Sequence, residues 1–109
     1  MAFPYDDNLP FDMLVYNGSI VRRVQIKTTL RYDSEKDRYS VKTMKRVFNT
    51  RIPYSIDDTD FICIYVGDKS WYIIPIEVVA GKGVVNLYPH RQSAGKYEMY
   101  RDAWELLLK

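Results

Sequence analysis

Four polar residues near the start of the chain, Asp12, Arg23, Gln25 and Lys27, have types and spacing suited to chemistry. Between the first and the rest lies Asn17-Gly18, a strong signal for a two-residue hairpin turn. A turn there pairs Tyr16 with Ser19 and sets Asp12 opposite Arg23, with Gln25 diagonally next and Lys27 two residues beyond. Side chains two apart on a strand share a face, so the four converge on one side of the hairpin. Phe11, Met13, Val24 and Ile26 then point the other way, into a core. A three-residue turn would flip this parity and scatter the group. A carboxylate, a side-chain carbonyl and a lysine on one sheet face suit phosphodiester hydrolysis. Asp12 and the Gln25 oxygen are hard ligands of the kind Mg²⁺ takes, together with waters and a substrate phosphate oxygen. Such a metal polarises the phosphate and lowers the pKa of a bound water. Lys27 would position that water or stabilise the developing negative charge. The same residues also fit an ordinary Asp–Arg cross-strand pair beside polar neighbours at a sheet surface.

The elements that must hold these residues follow from the pattern of apolar residues. Residues 1–10 contain Pro4 and Pro10 and suggest an extended arm, and residues 11–16 (FDMLVY) a short strand. Residues 19–32 form a long strand rich in Val, Ile and Thr, and residues 33–38 a polar loop. A third strand is expected over 39–48, followed by an irregular stretch over 49–59. Residues 60–66 (DFICIYV) and 70–76 (SWYIIPI) are apolar runs joined by Gly67-Asp68-Lys69, a hairpin whose strands are covered on both faces. Cys63 lies inside one of them, which implies a buried, inert thiol. A loop and short strand follow over 77–87; Gly81-Lys82-Gly83 lacks the spacing and the Lys-Ser/Thr of a phosphate loop. From Lys96, the residues Tyr97, Tyr100, Ala103, Trp104 and Leu107 recur at helical spacing and predict a C-terminal amphipathic helix. His90 and the residues after it suggest a polar loop and helix cap.

Composition bounds the remaining choices. A chain of 109 residues implies one domain over 1–109, and no repeat or linker divides it. One cysteine and one histidine exclude a disulfide framework and a Cys/His zinc cage. The lack of an eighteen-residue apolar run and of a basic start followed by an apolar core argues against a membrane span or a secretory leader. The net charge of +2 hides a segregation: residues 22–51 carry ten cations against three carboxylates, whereas residues 1–21 carry Asp6, Asp7 and Asp12 and no cation. A block of that kind is the electrostatic footprint expected of a nucleic-acid partner, and equally the make-up of a solvated lysine-rich edge.

The pattern FD at 11–12, Gln25-x-Lys27 resembles the PD-(D/E)XK nuclease signature, with Phe in place of Pro and Gln in place of the acidic residue. The Gln-x-Lys variant is similar to the cyanobacterial branch of the group I intron-encoded homing endonucleases. The likeness extends to RVQIKT (23–28), DFICIYV (60–66), WYIIPIEVV (71–79) and KYEMYRDAWELL (96–107), and so to nearly the whole chain. It implies an α/β fold with α+β tendency: a restriction-endonuclease-like central mixed β-sheet of about five to six strands and a C-terminal helix. It implies Asp12, Gln25 and Lys27 as catalytic residues, Asp12 and Gln25 as ligands of Mg²⁺, and double-stranded DNA as substrate. The cations then expected on DNA are Arg23, Lys42, Lys45, Arg46, Arg51, Arg91 and Lys96. Such nucleases usually begin with a helix bearing a glutamate that completes the metal site; here two prolines and no glutamate precede Asp12, so that helix is expected to be missing. With one helix to shield one sheet face, a second subunit is expected on the other, as a dimer or tetramer. The implied setting is cytoplasmic, in a bacterium or phage. The alternative is a non-catalytic nucleic-acid-binding or oligomeric structural module that keeps the nuclease fold.

Overall fold

The computed structural model describes residues 2–4, 12–90 and 95–108. Among these the chain forms nine short strands: β1 (Ala2–Pro4), β2 (Met13–Asn17), β3 (Ile20–Thr29), β4 (Tyr39–Lys42), β5 (Met44–Val47), β6 (Thr50–Pro53), β7 (Phe61–Val66), β8 (Trp71–Pro75) and β9 (Val84–Leu87). Five make one mixed sheet in the order β1-β2-β3-β7-β8, while β4–β9 and β5–β6 are separate two-stranded ribbons. Within the five-stranded sheet β3 and β7 run parallel and the other neighbours antiparallel. A parallel pair needs a long crossover, and here β4, β5 and β6 lie on it. The expected mixed sheet is therefore present, with five strands.

The sheet is buried where its strands lack alternation. On β7, Ile62, Ile64 and Val66 are wholly buried against Tyr39, Val41, Tyr54, Tyr72, Ile74, Val85 and Leu87. Phe61 and Cys63 face the opposite side, with Val24, Ile73, Ala103 and Leu107. Each isoleucine sequestered in this way stabilises the fold by about 1.5–3 kcal/mol. Burial pushes the Cys63 thiol up to about 12, so it stays protonated and inert near neutrality, as expected. The ribbon β4–β9, a single helical turn α1 (Ile76–Val79) and Tyr97 cover one face; Ala103 and Leu107 help cover the other. Since both faces are packed from within the chain, the argument that a second subunit must cover one of them does not hold.

Three expectations about elements need correction. The third strand is two strands, split at the buried Thr43. Thr43 donates its hydroxyl to the Lys82 carbonyl (2.7 Å) and its N–H to the Gly83 carbonyl (3.0 Å), while its own carbonyl accepts from Tyr54 N–H (3.2 Å). Those long-range bonds turn the chain so that β4 pairs with β9 and β5 with β6. The stretch expected to be irregular accordingly contains β6. The C-terminal amphipathic helix is instead two 3₁₀ turns, Glu98–Tyr100 and Trp104–Leu108. Between them Arg101 is extended and its backbone pairs with Tyr72, so no helical ladder can run through it. Its guanidinium meets the Tyr72 hydroxyl (3.1 Å), the Pro89 carbonyl (2.8 Å) and Glu98 (2.9 Å).

Two carboxylates brace the crossover, Asp58 within it and Asp60 against β3. Asp58 is buried and pairs with Lys45, and its Oδ2 accepts from Ser55 N–H (2.9 Å). Asp60 Oδ2 accepts from Arg23 N–H (2.7 Å), and its Oδ1 from Arg23 Nη2 (3.1 Å). Burial alone would raise both carboxyls, but Lys45 with Ser55, and Arg23, hold them below the ordinary 3.8. Depressed folded-state values mean stability present above the unfolded pKa and lost as pH falls through the folded values. The thermal midpoint is therefore expected to be steady near neutrality and to fall below about pH 4. Asp58→Asn should cost about 1–3 kcal/mol at pH 7, because Lys45 loses its partner. A midpoint independent of pH in acid, followed by calorimetry, would exclude this account.

Candidate active site

The hairpin that positions the site turns at Gly18-Ser19, with Asn17 opposite Ile20 and Met13 opposite Val24. Gly18 alone has positive φ (+63°), which matches a turn needing a left-handed residue only at its first central position. The expected Asn17-Gly18 turn would need positive φ at both positions or at Asn17. The register is consequently shifted by two residues, and an even shift keeps every side chain on its face. Asp12 lies just before β2, its N–H donating to the Val24 carbonyl (2.8 Å), and it adjoins Gln25 rather than Arg23.

The contacts at this point are close. Gln25 Nε2 donates to Asp12 Oδ2 (2.9 Å) and towards the Ile26 carbonyl (3.3 Å). Asp12 Oδ2 also accepts the Ile26 N–H (2.9 Å). Gln25 is buried, whereas Asp12 is exposed, so the pair opens to solvent on the carboxylate side. Lys27 shares the face, its Nζ 5.2 Å from the centre of the Tyr54 ring. Desolvation lowers the Lys27 pKa; the Asp12 carboxylate opposes this and the Arg51 guanidinium adds to it. Desolvation, Asp12 and Asp58 all raise the Tyr54 phenol. Asp12, Gln25, Lys27, Tyr54 and Arg51 thus form one electrostatic unit.

The remaining expected cations divide by partner. Arg23 is engaged with Asp60 and with the carbonyls of Asp57 (2.8 Å) and Ile56 (3.1 Å), and Lys45 with Asp58. Lys42 is exposed on β4, and Arg46 and Arg51 stand opposite each other, exposed, on the β5–β6 ribbon. Lys96 is exposed beside Lys82 and 5.6 Å from the Tyr97 ring centre. Arg91 lies outside the described residues, as does most of the arm before Asp12. His90 is exposed and packs edge-on to Tyr32 at 5.5 Å.

Sequence reasoning missed Tyr54, the Ile26 carbonyl and Lys82. No spacing rule marks Tyr54, which arrives from the crossover. The Ile26 carbonyl is invisible in a side-chain pattern, although it lies between the two singled-out residues. Among the described residues no group of three His, Cys, Asp or Glu side chains is placed to hold a metal ion. The available oxygens are the Asp12 carboxylate, the Gln25 amide and the Ile26 carbonyl. The Gln25 amide nitrogen, the positive end of that group, sits between two of them, and that position suits a hard cation.

No curated protein sequence matches the chain. Among solved structures, that of I-Ssp6803I, a bacterial homing endonuclease, is similar with a TM-score of 0.81 and 26% identity. The match covers 99% of this chain and 78% of that one. Among the described residues no helix is long and apolar enough to cross a membrane. The family model for PD-(D/E)XK endonucleases matches residues 1–107. A restriction-endonuclease-like sheet, with an aspartate opposite a Gln-x-Lys strand and a family match along almost its full length, makes this chain a member of the PD-(D/E)XK endonuclease family.

Proposed function

We propose that the chain is a Mg²⁺-dependent endonuclease that hydrolyses phosphodiester bonds in double-stranded DNA, with Asp12, Gln25 and Lys27 as its catalytic residues. The observation that carries this reading is the Gln25 amide held between Asp12 Oδ2 and the Ile26 carbonyl, with Lys27 on the same face. With the Gln25 amide turned over, so that its oxygen takes the place its nitrogen holds here, Asp12, that oxygen and the Ile26 carbonyl would hold the metal, leaving its other positions to water and a phosphate oxygen. Bound there, the ion would supply Lewis-acid polarisation of the phosphate and a more acidic water. Asp12 orients the strand end by accepting the Ile26 N–H. Before metal binds, buried Gln25 keeps the carboxylate in one direction through its N–H. Lys27 offers an ammonium to the charge that grows on the phosphate oxygens, in a half-buried setting where that interaction is stronger than in water. Tyr54 walls the lysine from solvent on one side. A duplex DNA substrate is what supports a cytoplasmic setting.

Cutting both antiparallel strands needs two such sites, and we propose on this ground that the working form is a homo-oligomer, a dimer or tetramer. The test is cleavage of duplex DNA with and without Mg²⁺. Asp12→Ala is expected to lower the rate by about 10²–10³-fold or more while the fold is retained. Mixed wild-type and Asp12→Ala chains should then yield nicks in place of double-strand breaks. Activity that survives Asp12→Ala, or mixtures that give breaks and no nicks, would overturn the reading.

One observation favours a second reading, a binding module without hydrolysis: among the described residues no group of three His, Cys, Asp or Glu side chains forms around Asp12. In that case DNA affinity would fall steeply with salt, would not need Mg²⁺, and no product would form.

A further inference from the structure

The ribbon β5–β6 stands apart from the five-stranded sheet. Its two faces differ in kind. Lys45 and Ile52 are opposite each other on one face, and Lys45 is anchored to Asp58 at the base of the ribbon. On the other face Arg46 is directly opposite Arg51. Like charges in that position repel and destabilise a ribbon unless an anion lies between or over them. Neither arginine hydrogen-bonds or ion-pairs with any described residue, and both are exposed. At the tip, Phe48 is 93% exposed and its backbone is left-handed (φ +56°), a conformation rarely adopted by bulky residues. No hydrogen bond or ion pair to a described residue offsets these features. The same ribbon, by contrast, adjoins the active site, because Arg51 acts on Lys27 and β6 leads directly into Tyr54.

We infer that the β5–β6 hairpin enters the major groove of the bound duplex and reads base pairs beside the bond that is cut, through Arg46, Arg51 and the tip Phe48. This rests on the reading that the chain binds duplex DNA, and it adds which element confers sequence preference. A two-stranded ribbon fits the major groove, which is about 12 Å wide. Arginine there takes the two acceptors of guanine, and an apolar ring packs on the thymine methyl. The polyanion also removes the repulsion between Arg46 and Arg51. Along the ribbon Phe48 lies two residues beyond the Arg46–Arg51 pair, about 7 Å at roughly 3.3 Å per residue. That is about two base pairs at 3.4 Å each, so the bases read should lie within about three of the cut.

The test is selection of bound duplexes from a random-sequence pool in the absence of hydrolysis, followed by sequencing. The full chain is compared with Phe48→Ala and Arg46→Ala. The wild type is expected to enrich a defined sequence. Phe48→Ala should flatten one or two positions by at least about fivefold, and Arg46→Ala an adjacent position by about tenfold, as for loss of single base contacts. Phe48 carries no charge, so the affinity of Phe48→Ala for the unselected pool and its salt dependence should stay within about threefold of wild type. Enrichment unchanged in both variants would overturn the inference. So would a loss uniform over all sequences with a shallower salt slope, which marks a phosphate contact, or a changed sedimenting mass, which marks a subunit contact. Absence of any DNA binding would remove this inference together with the proposed function. Enrichment without hydrolysis would remove only the latter.

Discussion

Replacing Lys27 with methionine is expected to reduce DNA cleavage by about 10³-fold while leaving the fold as stable as before or more so at neutral pH. The loss of rate follows from position. Lys27 is the one lysine on the face shared by Asp12 and Gln25, and methionine fills its volume without a charge. The stability follows from the sign of its pKa shift. Desolvation is the largest cause and lowers the value below 10.5, with Asp12 only partly opposing it. A lysine with a lowered folded-state pKa binds fewer protons than in the unfolded chain over the window between the two values. Stability therefore rises with pH through that window, and below it the charged lysine is a net cost to the fold. Lys27→Met removes that cost at pH 7, and its advantage should shrink as pH approaches 10.5. Keeping the charge does not restore the rate: Lys27→Arg should remain slow, because a planar guanidinium cannot replace a compact ammonium at a half-buried site. Rates and thermal midpoints measured across pH check both halves. A Lys27→Met protein that cuts within tenfold of wild type would remove the lysine from the mechanism. One that unfolds at pH 7 would make Lys27 a structural residue first.

The stability of such a variant bears on how this site was legible at all. The period of two along a strand makes the grouping of Asp12, Gln25 and Lys27 insensitive to an even error in register. The turn was misplaced by one residue, from Asn17-Gly18 to Gly18-Ser19, yet the three still met. What changed was the partner: Arg23 left Asp12 for Asp60, because the parallel pairing of β3 and β7 brings Asp60 alongside. Nothing local encodes that pairing. The break at Thr43 was hidden for the same reason, since the carbonyls that cause it belong to Lys82 and Gly83, far along the chain. At the C-terminus, spacings of three and four suit an α-helix and a 3₁₀ turn alike. Arg101, drawn to Tyr72, Pro89 and Glu98, and the left-handed Asp102 (φ +51°) decide between them. Apolar runs, turn residues and strand parity were thus readable; apart from the local shift of the turn at Gly18, the corrections trace to contacts between distant segments.

Parity also makes a second prediction specific. Gln25→Glu is expected to lower the Mg²⁺ concentration for half-maximal cleavage by at least about tenfold, while destabilising the protein in a chelator. In the wild type the Gln25 amide satisfies Asp12 Oδ2 at 2.9 Å and needs no cation to do so. A glutamate there sets two carboxylates at about that separation, one of them buried, and the pair cannot readily ionise together. One proton is held, so the pair's folded-state pKa is raised. A raised value means stability present below the unfolded pKa and lost as pH rises through the folded one. Without metal, the variant should therefore melt highest in mild acid and progressively lower towards neutrality, opposite in sign to the contribution of Asp58 and Asp60. Mg²⁺ reverses the loss, because a divalent ion between the two carboxylates replaces the proton and binds the folded state alone. At a metal concentration one hundred times the Kd this linkage adds about 2.7 kcal/mol. Thermal melts at several pH values, with Mg²⁺ and with chelator, separate this from a packing defect, which metal would not repair. If Gln25→Glu needs as much Mg²⁺ as the wild type and melts identically with and without it, the ion does not sit between these two side chains.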